Sequence, residues 1–429
     1  MIETVKNAWK IPELRKKLVF VLFAIVVFRF GHAIYVPFVD TASLATQFAT
    51  ISGGNLLGYF NTLSGGGLAT ASIFALSIYP YINSSIIIQL LQVAIPALER
   101  LAKDGGEEGK KKLQRITRYT TLALAIIMAF SYYLMLKSFG TVLTRTGTWS
   151  AIVIIATFVA GSMVVMWLGD QITEKGIGNG ISIILLVGIV SSGFSALTSI
   201  ISGLQSGTMQ WWAVIIILAL CVGIIAFIIY TTEAERRIPV QYAKRVVGRK
   251  QYGGQSSNLP MKVNMAGVMP VIFASTICSV PATIISFTQP AEGTFWYKFA
   301  NSWFRQGAPA YIIIYVLLIF ACAYFYAAIQ FNPIEVANNM KKQGGFIPGF
   351  RPGKPTSDFI AKVLNKITMM GAIFLAILAG LPLILSNIQG LGGLAIGGTS
   401  TLIMVGVALE TVRAIEGEMM MRHYKGFLE

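Results

Sequence analysis

Residues 212–231 read WAVIIILALCVGIIAFIIYT, a run of twenty residues without one charged side chain. An apolar stretch of about 20 residues is long enough to cross the hydrocarbon core of a bilayer as an α-helix. The run therefore predicts a membrane-spanning helix, and runs of the same kind recur along the chain.

The composition of the whole chain agrees with a lipid environment. Of its 429 residues, 55% are hydrophobic and 12% are charged, whereas a soluble domain carries about 25% charged residues. The mean hydropathy is +0.68. The three cysteines, Cys221, Cys278 and Cys322, lie inside apolar runs without zinc-ligand or redox spacing, so we interpret them as core residues.

Ten stretches are long and apolar enough to be spans, and the chain is therefore predicted to be an all-α polytopic membrane protein. The predicted spans are Leu18–Val36, Ile73–Ala97, Thr120–Leu136, Ser150–Gly169, Ile181–Ile201, Trp212–Thr231, Ala266–Phe287, Ala310–Phe331, Ile367–Leu385 and Ala395–Val412. Pro80 and Pro270 fall inside the second member of each set of five spans, which is the kind of trace that an inverted repeat leaves.

The positive charge of the chain is unevenly distributed between the connections. The formal net charge is +16, and most of the cations lie in the second, sixth and eighth connections. The odd-numbered connections hold only Lys137, Arg145, Lys298 and Arg305. Because Lys and Arg accumulate in cytoplasmic loops, both termini and the even-numbered connections are predicted to be cytoplasmic.

The first connection contains an apolar segment that is too short to span. Residues 55–67 read NLLGYFNTLSGGG and end in a glycine hinge. Two interpretations stay open from composition: an external loop, or a short helix that folds back into the protein. The second implies a cavity, because irregular backbone at membrane depth is tolerated only inside protein or against water.

The residues give little support to enzymatic chemistry. Gly105–Lys110 is one residue shorter than a phosphate-binding loop, and Lys111 stands where Ser or Thr is needed. The only histidines are His32 and His423, which excludes an H-E-x-x-H zinc site. Arg29 is the one clear charge within a span. We interpret it as a structural arginine, since no acidic partner is near it.

Two long connections are strongly basic: residues 232–262, the first basic loop, and residues 332–366, the second basic loop. The second presents Arg351 in a segment rich in glycine and proline. Loops of this kind suit the docking of an acidic partner or of RNA.

Nine short motifs, in this order, resemble the bacterial SecY family. They are Ala71–Leu76 (ASIFAL), Ile86–Leu91 (IIIQLL), Met166–Gly169 (MWLG), Gly176–Ile183 (GIGNGISI), Arg236–Ile238 (RRI), Tyr242–Arg245 (YAKR), Gln255–Gly267 (QSSNLPMKVNMAG), Gly345–Gly353 (GFIPGFRPG) and Gly397–Ser400 (GGTS). No single motif is specific, but the ordered set extends along nearly the whole chain.

The resemblance implies an hourglass channel made of two inverted five-helix halves around a central pore. Its parts would be an amphipathic cytoplasmic N-terminus (1–17), an N-terminal half (18–201), a C-terminal half (212–412) with both basic loops, and a cytoplasmic tail (413–429). A ring of aliphatic side chains would close the waist: Ile78, Ile82, Leu185, Ile272 and Ile403. Composition alone would assign these five to ordinary packing. An apolar collar blocks ions by dewetting and offers a passing peptide no fixed hydrogen-bond partner.

The resemblance also assigns a plug and a side gate. The plug beneath the ring would be residues 55–67, including Asn55, Leu56, Leu57, Tyr59, Phe60, Leu63, Gly65, Gly66 and Gly67. The gate would open between spans two and three on one side and spans seven and eight on the other. Its polar positions would be Asn83, Gln89 and Asn264, with Met128 where relatives lead us to expect glutamine.

By the same resemblance, the two basic loops dock a motor and the chain is not an enzyme. The docking residues would be Arg236, Arg237, Lys244, Arg245, Arg249, Lys250, Arg351 and Lys354. The implied partners are the SecE and SecG subunits, the SecA ATPase, a translating ribosome touched through its RNA, unfolded preproteins and the lipid of the bacterial plasma membrane. No cofactor or metal is implied. The alternative is a secondary transporter of small solutes, which is also built from inverted repeats.

The predicted orientation can be tested with an impermeant thiol reagent on intact cells. After Cys221, Cys278 and Cys322 are replaced, a single cysteine at position 293 should react, because its loop faces outward. A single cysteine at position 253 should react only after the cells are opened. The reverse pattern would contradict the orientation.

Overall fold

The computed structural model describes residues 2–51, 56–103, 105–206, 211–242, 245–247, 250–252, 256–265, 267–288, 303, 308–385 and 398–425. In the first half of the chain the helices are α1 (Ile2–Lys10), α2 (Pro12–His32), α3 (Thr41–Ile51), α4 (Leu56–Leu63), α5 (Tyr79–Ala94), α6 (Pro96–Lys103), α7 (Gly106–Ser138), α8 (Thr148–Lys175) and α9 (Gly180–Gln205).

In the second half, helices carry the apolar stretches and short strands occupy the loops. The helices are α10 (Trp211–Glu233), α11 (Met269–Thr288), α12 (Pro309–Gln330), α13 (Pro333–Lys342), α14 (Lys354–Leu385) and α15 (Gly398–Lys425). The strands are β1 (Glu235–Tyr242), β2 (Arg245–Val247), β3 (Lys250–Tyr252), β4 (Ser256–Lys262) and β5 (Gly345–Phe346).

A helix occupies most of the described residues of each of the ten predicted spans. Within the described residues, four helical stretches are long and apolar enough by themselves to cross a membrane: Gly106–Ser138, Thr148–Lys175, Pro309–Lys342 and Lys354–Leu381. The pair α5–α6, bent by 107°, makes a fifth if it is one broken span. Helix α2 falls outside this set because Arg15, Lys16, Lys17 and Arg29 all lie within it. The count of ten crossings stays a prediction.

The helix of the second predicted span begins later than Ile73. Residues 64–78 form turns and α5 starts at Tyr79, because Ala71 (φ 45°) and Ser77 (φ 48°) adopt left-handed backbone that cannot continue a right-handed helix. Pro80 occupies the first turn of α5, where its missing N–H removes no helical hydrogen bond. Pro270 is likewise the second residue of α11. Both prolines therefore begin a helix, which corrects their expected place inside one.

The buried apolar side chains form separate cores in the two halves and a shared one between them. One cluster has all its buried members between Val36 and Phe158, and another has them between Ile228 and Leu409. A third, which we call the central cluster, takes buried members from both halves, from Ala24 through Ile189 and from Ile272 through Val407. The two halves of the chain thus meet on this central cluster.

The strands join the two basic loops into one unit, a feature that an all-α expectation omits. Strand β1 lies between β4 and β5, and it pairs antiparallel with both. Ile238 and Val240 of β1 alternate inward and pack with Met340 and Ile360 of the second basic loop. Strands β2 and β3 form a separate hairpin.

The two ends of the described chain lie together. Helix α1 packs against α2 and α15, and Ala8, Leu14, Ile177 and Ile415 are buried in one cluster there. Lys17 Nζ lies 2.7 Å from Glu418 Oε1. This ion pair is partly exposed, so the apolar contacts supply most of the stability.

Helix α8 approaches residues 64–78, which we call the turn region, so closely that a glycine is required. A Cβ on Gly161 would lie 2.0 Å from the carbonyl oxygen of Ile73. Gly161→Ala should therefore lower the stability of the detergent-solubilised protein by about 1–3 kcal/mol, the usual cost of overpacking. The check is the thermal unfolding midpoint. Gly193→Ala, where a Cβ meets open space, is the matched control, and equal midpoints for the two variants would contradict the packing described here.

Candidate functional site

The structure brings five aliphatic side chains from four helices to the central cluster. Ile78 caps α5, Leu185 lies in α9, Ile272 in α11 and Ile403 in α15, and all four are buried. Ile82, one turn beyond Ile78, is half-buried and packs against the same cluster. Each helix contributes its residue within its first six positions, so the places where these helices begin set where the side chains meet.

Short helix α4 packs into this cluster. Leu63 is buried among its members, and the ring of Phe60 stands edge-on to Tyr79 with centroids 4.6 Å apart. A Cβ on Gly188 of α9 would lie 2.4 Å from the carbonyl oxygen of Leu63, so the two helices are in backbone contact. Segment 55–67 thus contains a short helix folded against the bundle. Asn55 and the side chains of Leu56, Leu57 and Tyr59 lie outside the described residues.

The glycines after α4, where the sequence suggested a hinge, form a packed turn. The N–H of Gly66 donates to the carbonyl of Asn61 at 2.8 Å, and the N–H of Gly65 donates to that of Thr62 at 3.2 Å. This pattern, with Gly65 at φ 73°, is the Schellman ending of a helix. A Cβ on Gly67 would lie 2.8 Å from Ser72 Oγ, which leaves no room for a larger residue.

Polar side chains from the surrounding helices hold the turn region in place. His32 Nε2 lies 2.6 Å from the carbonyl oxygen of Ser64, and the hydroxyl of Ser192 donates to the carbonyl of Thr62 at 2.8 Å. The hydroxyl of Tyr132 donates to the carbonyl of Leu68. None of these three was singled out from sequence for this role. The available signal was a polar residue inside an otherwise apolar span.

A seam between the halves runs where α5 and α7 face α11 and α12. Helix α7 contacts α11. The hydroxyl of Tyr326 on α12 donates to Gln89 Oε1 on α5 at 2.9 Å, and Phe273 on α11 stands edge-on to Tyr326 at 5.2 Å. The resemblance implied Gln89 at this seam, but Tyr326 was missed, since it is one of several tyrosines in its span.

The other predicted gate positions lie on different sides of the seam. Asn83 on α5 directs its amide nitrogen at the sulfur of Met128 on α7, 3.9 Å away. The amide oxygen of Asn83 is buried and has no hydrogen-bond partner within the described part of the chain. Asn264 is buried in the connection before α11, next to Gly371 of α14. A thioether is a weak acceptor, so Met128 satisfies Asn83 poorly.

The β1–β4–β5 sheet and the turn after β5 expose a basic surface. Arg236 and Arg237 lie exposed on β1. Arg351 is exposed in a turn bounded by Gly349 (φ 87°) and Gly353 (φ 109°), and Lys354 starts α14.

Two contacts fix the turn that carries Arg351. Its carbonyl accepts a hydrogen bond from the hydroxyl of Thr356 at 2.8 Å, and the rings of Phe350 and Phe359 lie 4.3 Å apart. The guanidinium is therefore presented by a rigid support.

The rest of the predicted basic set is only partly described. Arg245 and Lys250 lie on the β2–β3 hairpin, although their side chains are outside the described residues, as are Lys244 and Arg249 entirely. At the other end of the sheet, burial lowers the pKa of Lys262, and the positive charge of Arg413 lowers it further. The sheet therefore ends against the charged part of α15.

Comparisons with known proteins agree with this architecture. The model of the SecY family matches residues 72–412. The chain is 42% identical to the protein translocase subunit SecY of Streptomyces scabiei, over 100% of both chains. Among solved structures, one described as a protein-conducting channel matches with a TM-score of 0.67 at 17% identity over 96% of both chains. Sec61 in a canine ribosome–channel complex from the endoplasmic reticulum matches with a TM-score of 0.61 at 16% identity, also over 96% of both chains. The family model covers most of the chain, and the structure has two helical halves that share a central cluster with a short helix folded into it. The chain belongs to the SecY family.

Proposed function

We propose that the chain is the central channel subunit of a protein translocase. It conducts unfolded preproteins across the plasma membrane and releases hydrophobic segments sideways into the bilayer. The observation that carries this function is the central cluster, where aliphatic residues from both halves meet and α4 packs against them. The relatives named protein translocase subunit support it. The chain provides a path and performs no covalent chemistry.

Ile78, Ile82, Leu185, Ile272 and Ile403 form the closed waist of the channel, and segment 55–67 is the plug against it. Closely packed aliphatic side chains leave no room for water and offer it no hydrogen bond, so ions meet a dewetted barrier. An aliphatic waist also accepts any peptide, because its side chains favour no particular sequence. Leu63 and Phe60 of α4 extend this apolar contact, so the waist and the plug close as two barriers in series.

The seam between α5–α7 and α11–α12 is the side gate. A translocating segment leaves through it when lipid is the better solvent. On insertion scales Leu, Ile, Val or Phe gains about 0.3–0.6 kcal/mol at a helix centre, whereas Lys or Arg costs about 2.5–3.5 kcal/mol. A dozen apolar residues thus favour lipid by several kcal/mol. The Tyr326–Gln89 hydrogen bond is the polar contact that parting of the seam would break.

The basic surface of the two loops is the docking site for the partner that supplies the energy for translocation. Since the sequence offers no phosphate-binding loop, work must come from a partner, either the SecA ATPase or a translating ribosome. The canine relative in a ribosome–channel complex supports the second. SecE and SecG are the expected companion subunits. In this orientation the basic loops and both termini face the cytoplasm.

The transporter alternative makes a different prediction, namely a saturable site for a small solute. The names of the curated relatives favour the translocase. Purification from native membranes separates the two functions, because a translocase subunit should bring a small single-span partner with it and a transporter should not.

Polar substitution at the waist should make the resting channel leak. Replacing Ile82 and Ile403 together with Asn holds water at the constriction and removes the dewetting barrier. Single-channel conductance in planar bilayers, without motor or substrate, should rise, and it should rise further when residues 55–67 are also deleted.

Ile87→Asn supplies the matched control for the waist variants. Ile87 lies on the same helix as Ile82 but is 41% exposed, so this variant should stay closed. If the combined waist and plug variant conducts no more than wild type, these residues are packing residues and do not line a pore.

Arg351 should be a contact for the motor, because its turn fixes one exposed charge. Arg351→Glu should reduce motor-driven translocation into vesicles by about tenfold or more, the cost of losing a central interface residue. Lys342→Glu makes the same charge change at another exposed position beside the second basic loop's turn and should retain most activity. Equal translocation rates for both variants and wild type would contradict the assignment.

A further inference from the structure

The carbonyl groups at the end of α4 are paired in an unusual way. A helix leaves its last four carbonyls without partners inside the helix. Here the turn glycines supply N–H groups to Asn61 and Thr62. Two further bonds come from side chains of the surrounding bundle, from Ser192 on α9 to Thr62 and from His32 on α2 to Ser64.

Both donors are placed by tight packing. His32 is buried, and its ring stands edge-on to Phe28 at 4.6 Å and to Phe74 at 5.9 Å. Ser192 lies one helical turn beyond Gly188, the residue whose missing side chain lets α4 touch α9. The donors are therefore held by long helices, whereas the acceptors belong to an eight-residue helix and the turn after it.

Both ring nitrogens of His32 face carbonyl oxygens. Its Nδ1 lies 3.1 Å from the carbonyl oxygen of Phe28, within its own helix, and its Nε2 lies 2.6 Å from that of Ser64. A neutral imidazole has one N–H. We place it on Nε2, which makes the shorter contact, so that Nε2–H donates to the carbonyl of Ser64. A nearby guanidinium nitrogen of Arg29, 3.5 Å from the Cβ position of Gly65, adds positive charge beside the same turn.

We propose that His32 and Ser192 are positioning residues that latch the plug in its closed place. Each donates one hydrogen bond from the fixed bundle to the C-terminal carbonyls of α4, and the plug cannot leave the waist while both persist. The latch rests on the proposed function of segment 55–67 as a plug. Its two hydrogen bonds act together with the apolar contacts that Leu63 and Phe60 make with the central cluster.

The test measures how often the resting channel opens in planar bilayers, without motor or substrate, using the complex purified from native membranes. His32→Leu and Ser192→Ala each remove one donor. Each should raise the open probability about fivefold, the effect of one lost hydrogen bond, and the two together should exceed either alone. His32→Gln, which restores an N–H donor, should return the open probability towards wild type. Ser191→Ala, the neighbouring serine on α9, is the matched control.

Deletion of residues 55–67 separates a latch from general support of the fold. In the plug-deleted channel, His32→Leu and Ser192→Ala should have no further effect. An equal increase with and without the plug would overturn the latch, because the residues would then act on the bundle itself. An unchanged open probability in the intact channel, while preprotein translocation proceeds normally, would also overturn it and leave the proposed function intact. Wild-type channels that fail to translocate preprotein would instead contradict the proposed function.

Discussion

The structure depends on one constraint, that every backbone polar group inside a lipid-surrounded protein must find its partner within the protein. Continuous helices meet it by themselves. Residues 64–78 do not, since they form turns with left-handed backbone at Ala71 and Ser77. Side chains of the surrounding helices supply the missing partners, with Tyr132 bonded to Leu68 and Ser162 to Ser77. The long helices therefore carry hydrogen-bond donors to the irregular segment 64–78, and this segment lies where the proposed channel closes.

Sequence reasoning succeeded where physical properties are local. Length and apolarity located a helix on each predicted span, and charge located the basic loops. It was less informative where the determining contact joins distant residues. Tyr326 and Gln89 are separated by 237 positions, and no local pattern marks that tyrosine above its neighbours. Strand β5 is two residues long, too short for any alternation to show, yet it joins the loops through Tyr242 and Gly345.

The same limit applies to the five aliphatic residues of the proposed waist. They share the central cluster with Ile86, Ile183, Ile184 and other side chains of the same chemistry. Composition and periodicity give no means of ranking one isoleucine above another, so the assignment came from a family resemblance. The structure adds that the chosen residues come from both halves and lie near the starts of their helices. A position near a helix start can be predicted only when the start itself is known, and Pro80 and Pro270 are sequence marks of two of these starts.

The proposed side gate shows how a poorly satisfied polar group bears on function. Asn83 has a buried amide oxygen without a partner in the described residues, and its nitrogen faces the weak acceptor of Met128. Leaving a buried acceptor unpaired costs about 1–3 kcal/mol. That cost applies to the closed gate, since parting of α5 from its neighbours exposes the amide to water or to a passing peptide. The Tyr326–Gln89 bond acts in the opposite sense and stabilises closure by about 1 kcal/mol. The two contacts act in opposite directions, so polar contacts alone do not hold the seam closed, and a segment that replaces the apolar packing with its own apolar side chains meets little polar resistance.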